Sequence, residues 1–270
     1  MPEAMPDIST GQVWASGEAY EPFIGRWSRR VAPRFLDWLA VPAAMRWLDV
    51  GCGTGALSQA VLDVAEPARL VGLDPSSTFV EVAREHVRDR RASFQVGNAM
   101  GLPFGAAAFD ACVAGLALNF VPDPGTAVAE MRRVTAGSGV VAAYVWDYAG
   151  EMQVLRRFWS AAAELDPAAV DLDEGTRCGV CRPAELRACF EGAGLTGVQL
   201  TNLDVDARFG DFDDYWRPFL GGQGPAPAYL ATLDPEARSR LREHLRKTLP
   251  IAADGSLTLL ARAMAVKGFV

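Results

Sequence analysis

Histidine is scarce in this chain, with two residues, His86 and His244, among 270. An imidazole-based catalytic centre or metal site has little to draw on. Basic charge is short as well: 26 Lys and Arg face 33 Asp and Glu, giving a net charge of −7. That balance argues against a partner held by its phosphate backbone, so no nucleic acid is expected. The densest basic stretch, REHVRDRR at 84–91, has acids interleaved and reads as a solvated helix end. No apolar run reaches the roughly 20 residues of a membrane span. The opening MPEAMPDISTG lacks the apolar core of a signal peptide, so a cytoplasmic chain that does not engage a membrane is expected. Five cysteines at irregular spacing (52, 112, 178, 181 and 189) do not read as a disulfide framework. Cys178 and Cys181 form a CxxC, but with only Cys189 nearby a tetrahedral zinc set would be incomplete. Reduced structural cysteines and no metal are expected, with a redox pair as the alternative. Internal repeats and low-complexity tracts are also missing.

Half of the residues are hydrophobic and 22% are charged, enough apolar material for a sizeable core. The pattern divides the chain into an N-terminal helix over 1–45, a core over 46–150, and a remainder over 151–270 that completes one domain. After the break at Gly25, Val31, Phe35, Trp38 and Leu39 recur at helical spacing until Pro42 stops the helix. Short apolar strands at 46–50, 69–73, 93–96, 108–115 and 140–146 alternate with helices at 56–65, 76–88 and 126–134. Gly137–Gly139 reads as a turn. This alternation predicts an α/β fold with a doubly wound parallel sheet. Further on, helices are expected at 151–165, 183–192 and 235–249. Strands at 198–205 and 256–266 would form a hairpin-like edge around an aromatic, Gly/Pro-rich stretch at 209–229.

The segment Trp47-Leu48-Asp49-Val50-Gly51-Cys52-Gly53-Thr54-Gly55 is an apolar strand ending in an acid, then a glycine turn opening a helix. Glycine lets the backbone turn tightly and lets a ligand approach without a Cβ in the way. The spacing is GxGxG rather than the GxGxxG of dinucleotide sites. Asp49 would repel a pyrophosphate and would suit the ammonium or sulfonium of S-adenosylmethionine. Asp74 ends the second strand about 20 residues on, where a carboxylate can take two ribose hydroxyls. Asn98, after the third strand, offers a donor and an acceptor for an adenine edge.

These segments resemble class I S-adenosylmethionine-dependent methyltransferases of the ubiquinone/menaquinone-biosynthesis-like group (methyltransferase type 11). LDVGCGTG is similar to the group's glycine-rich motif, VGLDPS to its ribose-binding motif, and GNAMGLPF to its adenine motif, in which Asp usually stands where this chain has Asn98. FDACVAGLALNFVPDP and EMRRVTAGSG are similar to its fourth-strand motif and to the helix and turn before the fifth strand. The resemblance spans residues 46–146. It implies a Rossmann-like methyltransferase fold with a seven-stranded, mostly parallel sheet whose last strand is antiparallel, an N-terminal helical lid and inserted cap segments. It implies that Asp49, Gly51, Cys52 and Gly53 lie along the methionine portion of the cofactor. Asp74 would hold the ribose, Pro75 and Ser76 would flank the adenine beside Asn98 and Ala99, and Ala114 to Leu116 would line the methyl end. In the lid, Arg26 could take the methionine carboxylate and Tyr20 or Trp27 could shield the sulfonium. The alternative is that these residues only dock the first helix.

Methyl transfer is an in-line displacement, so alignment and exclusion of water are the main demands. No general base stands out: His86 and His244 lie in charged helices, and Tyr144, Trp146, Asp147, Tyr148 and Asn119 follow or line strand ends. The acceptor site is expected between the lid, the 147–182 segment and the 209–229 stretch. There Phe212, Tyr215, Trp216 and Phe219 suggest either an apolar or aromatic-lined pocket or a loop packing on its own domain or a second subunit. The expected activity is methyl transfer to a small-molecule acceptor at O, N or C, with a homodimer left open. The alternatives are a cofactor-binding relative that does not methylate and a nicotinamide-dependent oxidoreductase.

Overall fold

A computed structural model describes residues 25–221 and 224–270. Its centre is a seven-stranded sheet in the order β3-β2-β1-β4-β5-β7-β6. The strands are β1 (Arg46–Val50), β2 (Arg69–Asp74), β3 (Ala92–Val96), β4 (Phe109–Gly115), β5 (Thr135–Trp146), β6 (Thr196–Phe209) and β7 (Leu257–Phe269). Strands β1 to β5 pair in parallel, and β7 runs antiparallel to both β5 and β6. The chain reverses its direction along the sheet after β3, so β1 and β4 meet at the switch point where such sheets bind ligands, at their carboxyl ends. Trp47, Leu48 and Val50 of β1 and Ala111 to Ala114 of β4 are buried, as expected of strands covered on both faces.

Helices cover the sheet: α1 (Arg26–Leu39), α2 (Ala56–Val64), α3 (Ser77–His86), α4 (Pro124–Val134), α5 (Gln153–Leu165) and α6 (Pro183–Gly192). Sequence explains several helix starts. Ser76 accepts the Phe79 N–H at the head of α3, and Asp123 accepts the Thr126 N–H at the head of α4, which also carries Pro124 in its first turn. Helix α1 buries Trp27, Val31, Phe35, Leu36 and Leu39 on one stripe. It is tied to β6 on its other side, because Arg30 donates to the Asp206 carbonyl and Arg34 to the Asp204 carbonyl.

Three differences from the sequence pattern have physical causes. Gly137–Gly139 does not end a strand but bulges within β5: Phe109 pairs Thr135, yet Ala111 pairs Val140, leaving extra residues on β5. A Cβ at Gly139 would lie 2.6 Å from Thr135 Cγ2 and 2.7 Å from the Asp110 carbonyl, so only glycine fits there. The β6–β7 pair is longer than its apolar runs suggest. Trp146, the end of β5, is level with Ala263 and Leu203, whereas β6 continues to Phe209 against Leu257. Those six further pairs extend about 20 Å beyond the carboxyl edge of β5 as a two-stranded ribbon. The described residues of the Gly/Pro-rich 209–229 stretch include helices: α7 (Phe212–Trp216), a 3-10 turn at Arg217–Gly221 and α8 (Pro225–Thr232) precede α9 (Pro235–Thr248). Asp211 caps α7 and Pro225 opens α8, so its breaker residues are helix starts.

Candidate functional site

The glycine turn after β1 folds over the end of β2. The Gly51 and Cys52 N–H groups donate to the Leu73 carbonyl at 2.7 and 3.0 Å, and Gly55 N–H donates to the Cys52 carbonyl at 2.9 Å. Gly51 and Gly53 have φ of 72° and 51°. A Cβ at Gly51 would stand 2.4 Å from the Ala117 Cβ, so the turn and the loop after β4 touch where no side chain can intervene. Around Gly53 a Cβ would meet nothing within 4 Å: its glycine serves the backbone conformation and leaves open space beside the turn.

Two carboxylates flank this turn. Asp74 is 7% exposed and joins two helix starts: its Oδ2 accepts the Gly53 N–H and its Oδ1 the Ser76 N–H, both at 2.9 Å. Each oxygen retains a lone pair for a further donor, as two hydroxyls would require. Burial pushes the Asp74 carboxyl above its ordinary pKa, and the two N–H donors oppose that shift. Asp49 is fully buried. Ser58 Oγ–H donates to its Oδ2 at 2.7 Å, while Oδ1 has no hydrogen-bond partner. Desolvation is the main cause that raises the Asp49 pKa to about 7; the Ser58 hydrogen bond lowers it and the Asp74 charge raises it. A buried oxygen without a donor is costly, and a cation brought to it would remove that cost and favour the ionised form.

The remaining expected residues divide in two. Cys52 is 6% exposed and its thiol is pushed up by burial, so it serves as packing beneath the turn. Pro75 is exposed at the entry to α3, and the Ser76 hydroxyl is engaged in its cap. Exposed Asn98 turns its Oδ1 back to accept the Met100 N–H at 2.9 Å, with half-buried Ala99 between them. That leaves the amide nitrogen as the side chain's outward polar atom. Ala114 is fully buried and can offer only backbone. Leu116 adopts φ of 55° and donates its N–H to the Tyr144 carbonyl at 2.8 Å, an unusual conformation at the end of β4 where strain and function tend to coincide. Tyr20 lies outside the described residues.

Arg26 is directed toward the ribbon and α7. Its guanidinium carbon lies 4.6 Å from the Phe209 ring and 4.8 Å from the Trp27 ring, and Nη1 reaches Asp214 at 3.3 Å. Nε and Nη2, the edge suited to a two-oxygen acceptor, are shielded from solvent and without hydrogen-bond partners.

Sequence patterning did not expose Val96, which is 52% exposed although it ends an apolar strand. It pairs in register with Asp74, giving an uncovered apolar surface beside that carboxylate. Tyr144, whose facing the pattern left open, points to α1: its ring centroid is 4.8 Å from that of Phe35, and its hydroxyl lies where a Gly115 Cβ would clash at 2.7 Å. Asp147 is occupied by the Gly150 and Glu151 N–H groups. His86 is exposed at the end of α3, and His244 pairs with Glu164 at 2.8 Å.

Four aromatic residues of the 209–229 stretch pack into a core instead of lining a cavity, whereas Tyr229 borders a small cavity of about 150 Å³ with Leu165 and Leu241. Phe212, Tyr215, Trp216 and Phe219 are each at most 5% exposed, and Phe219 stacks on Phe158 of α5 at 4.6 Å. A cavity of about 490 Å³ lies beside α1 and α2, bounded by Arg29, Pro33, Gln59 and His86. It touches the glycine turn only at Thr54 and Gly55 and includes neither flanking carboxylate. The chemistry of the turn, not the size of that cavity, marks the site. Among the described residues no group of His, Cys, Asp and Glu could hold a metal ion, and no helix is long and apolar enough to cross a membrane.

Comparison with known proteins follows the same geometry. Residues 48–143 match the family model described as a methyltransferase domain. The demethylmenaquinone methyltransferase of Roseiflexus sp. strain RS-1 is 36% identical over 103 residues, covering 38% of this chain and 43% of that protein. The chain thus spans less than half the length of that relative. Among solved structures, the YcgJ protein of Bacillus subtilis is 19% identical with a TM-score of 0.56, over 89% of this chain and 97% of that one. Phosphoethanolamine N-methyltransferase 2 of Haemonchus contortus, solved in complex with S-adenosyl-L-methionine, is 16% identical with a TM-score of 0.56, over 93% of this chain and 56% of that one. Over residues 48–143 the chain is thus similar to methyltransferase domains, and its seven-stranded sheet has the Rossmann-like fold of the solved structures it resembles.

Proposed function

We propose that this domain binds S-adenosylmethionine at the turn after β1 and that the chain transfers the methyl group to a small-molecule acceptor. The observation that carries the reading is the orphaned Oδ1 of Asp49, buried beside an open glycine turn. A dinucleotide pyrophosphate would add negative charge there, whereas an ammonium supplies the missing donor. The residues fit the cofactor. Asp49, Gly51, Cys52 and Gly53 follow its methionine portion, Asp74 takes the ribose hydroxyls, and Ser76, Pro75, Asn98 and Ala99 border the adenine with Val96 under its face. Arg26 offers its unpaired edge to a carboxylate. Ala114 and Leu116 form the methyl end. When bound, the cofactor supplies an electrophilic carbon that is already activated. The chain's own work is to align the two reactants and exclude water. A cytoplasmic setting and the absence of a nucleic-acid partner belong to the same proposal, supported by the net charge of −7.

The test is incubation with S-adenosylmethionine labelled in its methyl group and a panel of small phenols, quinols and amines. Label appearing in one acceptor class, and lost with Asp74→Ala, is the expected result. Cofactor binding with no transfer across the panel would favour a relative that binds the cofactor without methylating.

A further inference from the structure

The sequence predicts reduced cysteines, but the structure joins Cys178 to Cys181 through a disulfide. Cys52 and Cys112 are buried and free, and Cys189 is partly buried and free. The bonded pair stands just before α6, and its surroundings give it a position relative to the site. The Gly179–Cys181 turn packs against the Leu118–Phe120 turn that follows β4. A Cβ at Gly175 would lie 2.7 Å from the Tyr148 carbonyl, so the residues leading into the pair lie directly on the loop after β5. Arg182, on its far side, donates to the Thr176 carbonyl at 2.9 Å, and Cys178 N–H donates to the Glu174 carbonyl at 2.8 Å. The pair therefore clips a short segment whose two ends rest on the loops after β4 and β5. Phe120, 47% exposed, stands at that seam.

We propose that Cys178–Cys181 is a reversible dithiol–disulfide clip that sets the wall beside the methyl end; naming that wall rests on the methyltransferase reading. The two sulfurs differ in access: Cys181 is 1% exposed and Cys178 is partly exposed. A thiolate of an external dithiol attacks Cys178 Sγ, the S–S bond breaks, and Cys181 leaves as a thiolate that takes up a proton. The reductant's second thiol then displaces Cys178, which also ends as a thiol. Two electrons and two protons pass to the protein, and the reductant becomes a disulfide. Opening the clip removes the covalent constraint on residues 178–181 while leaving the glycine turn and Asp74 untouched.

Hydrogen exchange and cysteine alkylation, both read by mass spectrometry on the full chain with and without dithiothreitol, test this. The expected result is that Cys178 and Cys181 resist iodoacetamide before reduction and react after it. Amides in 116–121 and 174–182 should then exchange severalfold faster, with those in 51–55 unchanged. Cys178→Ser should show the faster exchange with or without dithiothreitol. Alkylation of both cysteines in air-exposed protein without reductant would overturn the proposal. So would reduction that leaves exchange at 116–121 unchanged. The exchange comparison needs no cofactor, so its outcome stands whether or not S-adenosylhomocysteine binds; titration of that ligand separately tests the cofactor reading.

Discussion

The two halves of this molecule are built in different ways. At the ends of β1 and β2 the site is made of backbone and two carboxylates, with Gly53 N–H on Asp74 and Ser58 on Asp49. In the cap of α5 and α7 to α9, bulky rings fill their own small core: Phe158, Phe219, Tyr215 and Trp216 are all at most 5% exposed. The first region has the polar, charged chemistry that the proposed cofactor would need. The second is stability, and its aromatics are available to an acceptor only through the edges they leave uncovered.

Substitutions should separate the two. Phe219→Ala removes a ring stacked at 4.6 Å in the cap core and should cost about 3–5 kcal/mol of stability by thermal unfolding. Affinity for S-adenosylhomocysteine in the folded fraction should be unchanged; a matching loss of affinity would join the cap to the cofactor site. Asp74→Ala deletes the acceptor of two backbone N–H groups and of the proposed ribose contacts. Ligand affinity should fall by roughly 3 kcal/mol, more than a hundredfold, by calorimetry. Gly51→Ala places a Cβ 2.4 Å from Ala117 at a φ of 72° and should cost about 2 kcal/mol of stability, seen as a lowered Tm.

The pH response sharpens the contrast further. With its pKa raised from 3.8 to about 7, Asp49 favours the fold while protonated. That contribution is complete below about pH 4 and is lost as pH rises through about 7, at about 1.4 kcal/mol per unit between. Binding of a cation shows the opposite slope: affinity for S-adenosylhomocysteine should rise toward pH 7 by up to about tenfold per unit, then level off. Asp49→Asn should flatten both profiles. The smallest effect is expected of Ser76→Ala, which removes the cap of α3 and should cost about 1 kcal/mol in urea unfolding.

The same contrast explains what could be read from the sequence. Strand β1 at 46–50 and helix α6 at 183–192 stand where the pattern placed them, because an apolar run and a Pro-to-Gly frame each specify one local structure. The glycine turn, Asp49 and Asp74 were legible because backbone chemistry at a strand end leaves a fixed residue spacing. Four features were not. The α7–α8 segment consists of helices of 5 and 8 residues, too short for a period to show among its Gly and Pro residues. The bulge at 136–139 depends on pairing with β4, and the exposure of Val96 on what does not cover it; neither is a property of its own segment. The Cys178–Cys181 bond was left among alternatives because spacing alone does not report sulfur geometry.

The most direct test of the central claim is a calorimetric titration of the wild-type chain with S-adenosylhomocysteine at pH 8, with NAD run in parallel. The account predicts binding in the micromolar range, about −8 kcal/mol, for the adenosyl ligand and none for NAD. NAD binding with no response to S-adenosylhomocysteine would contradict it, because Asp49 would then be facing a pyrophosphate.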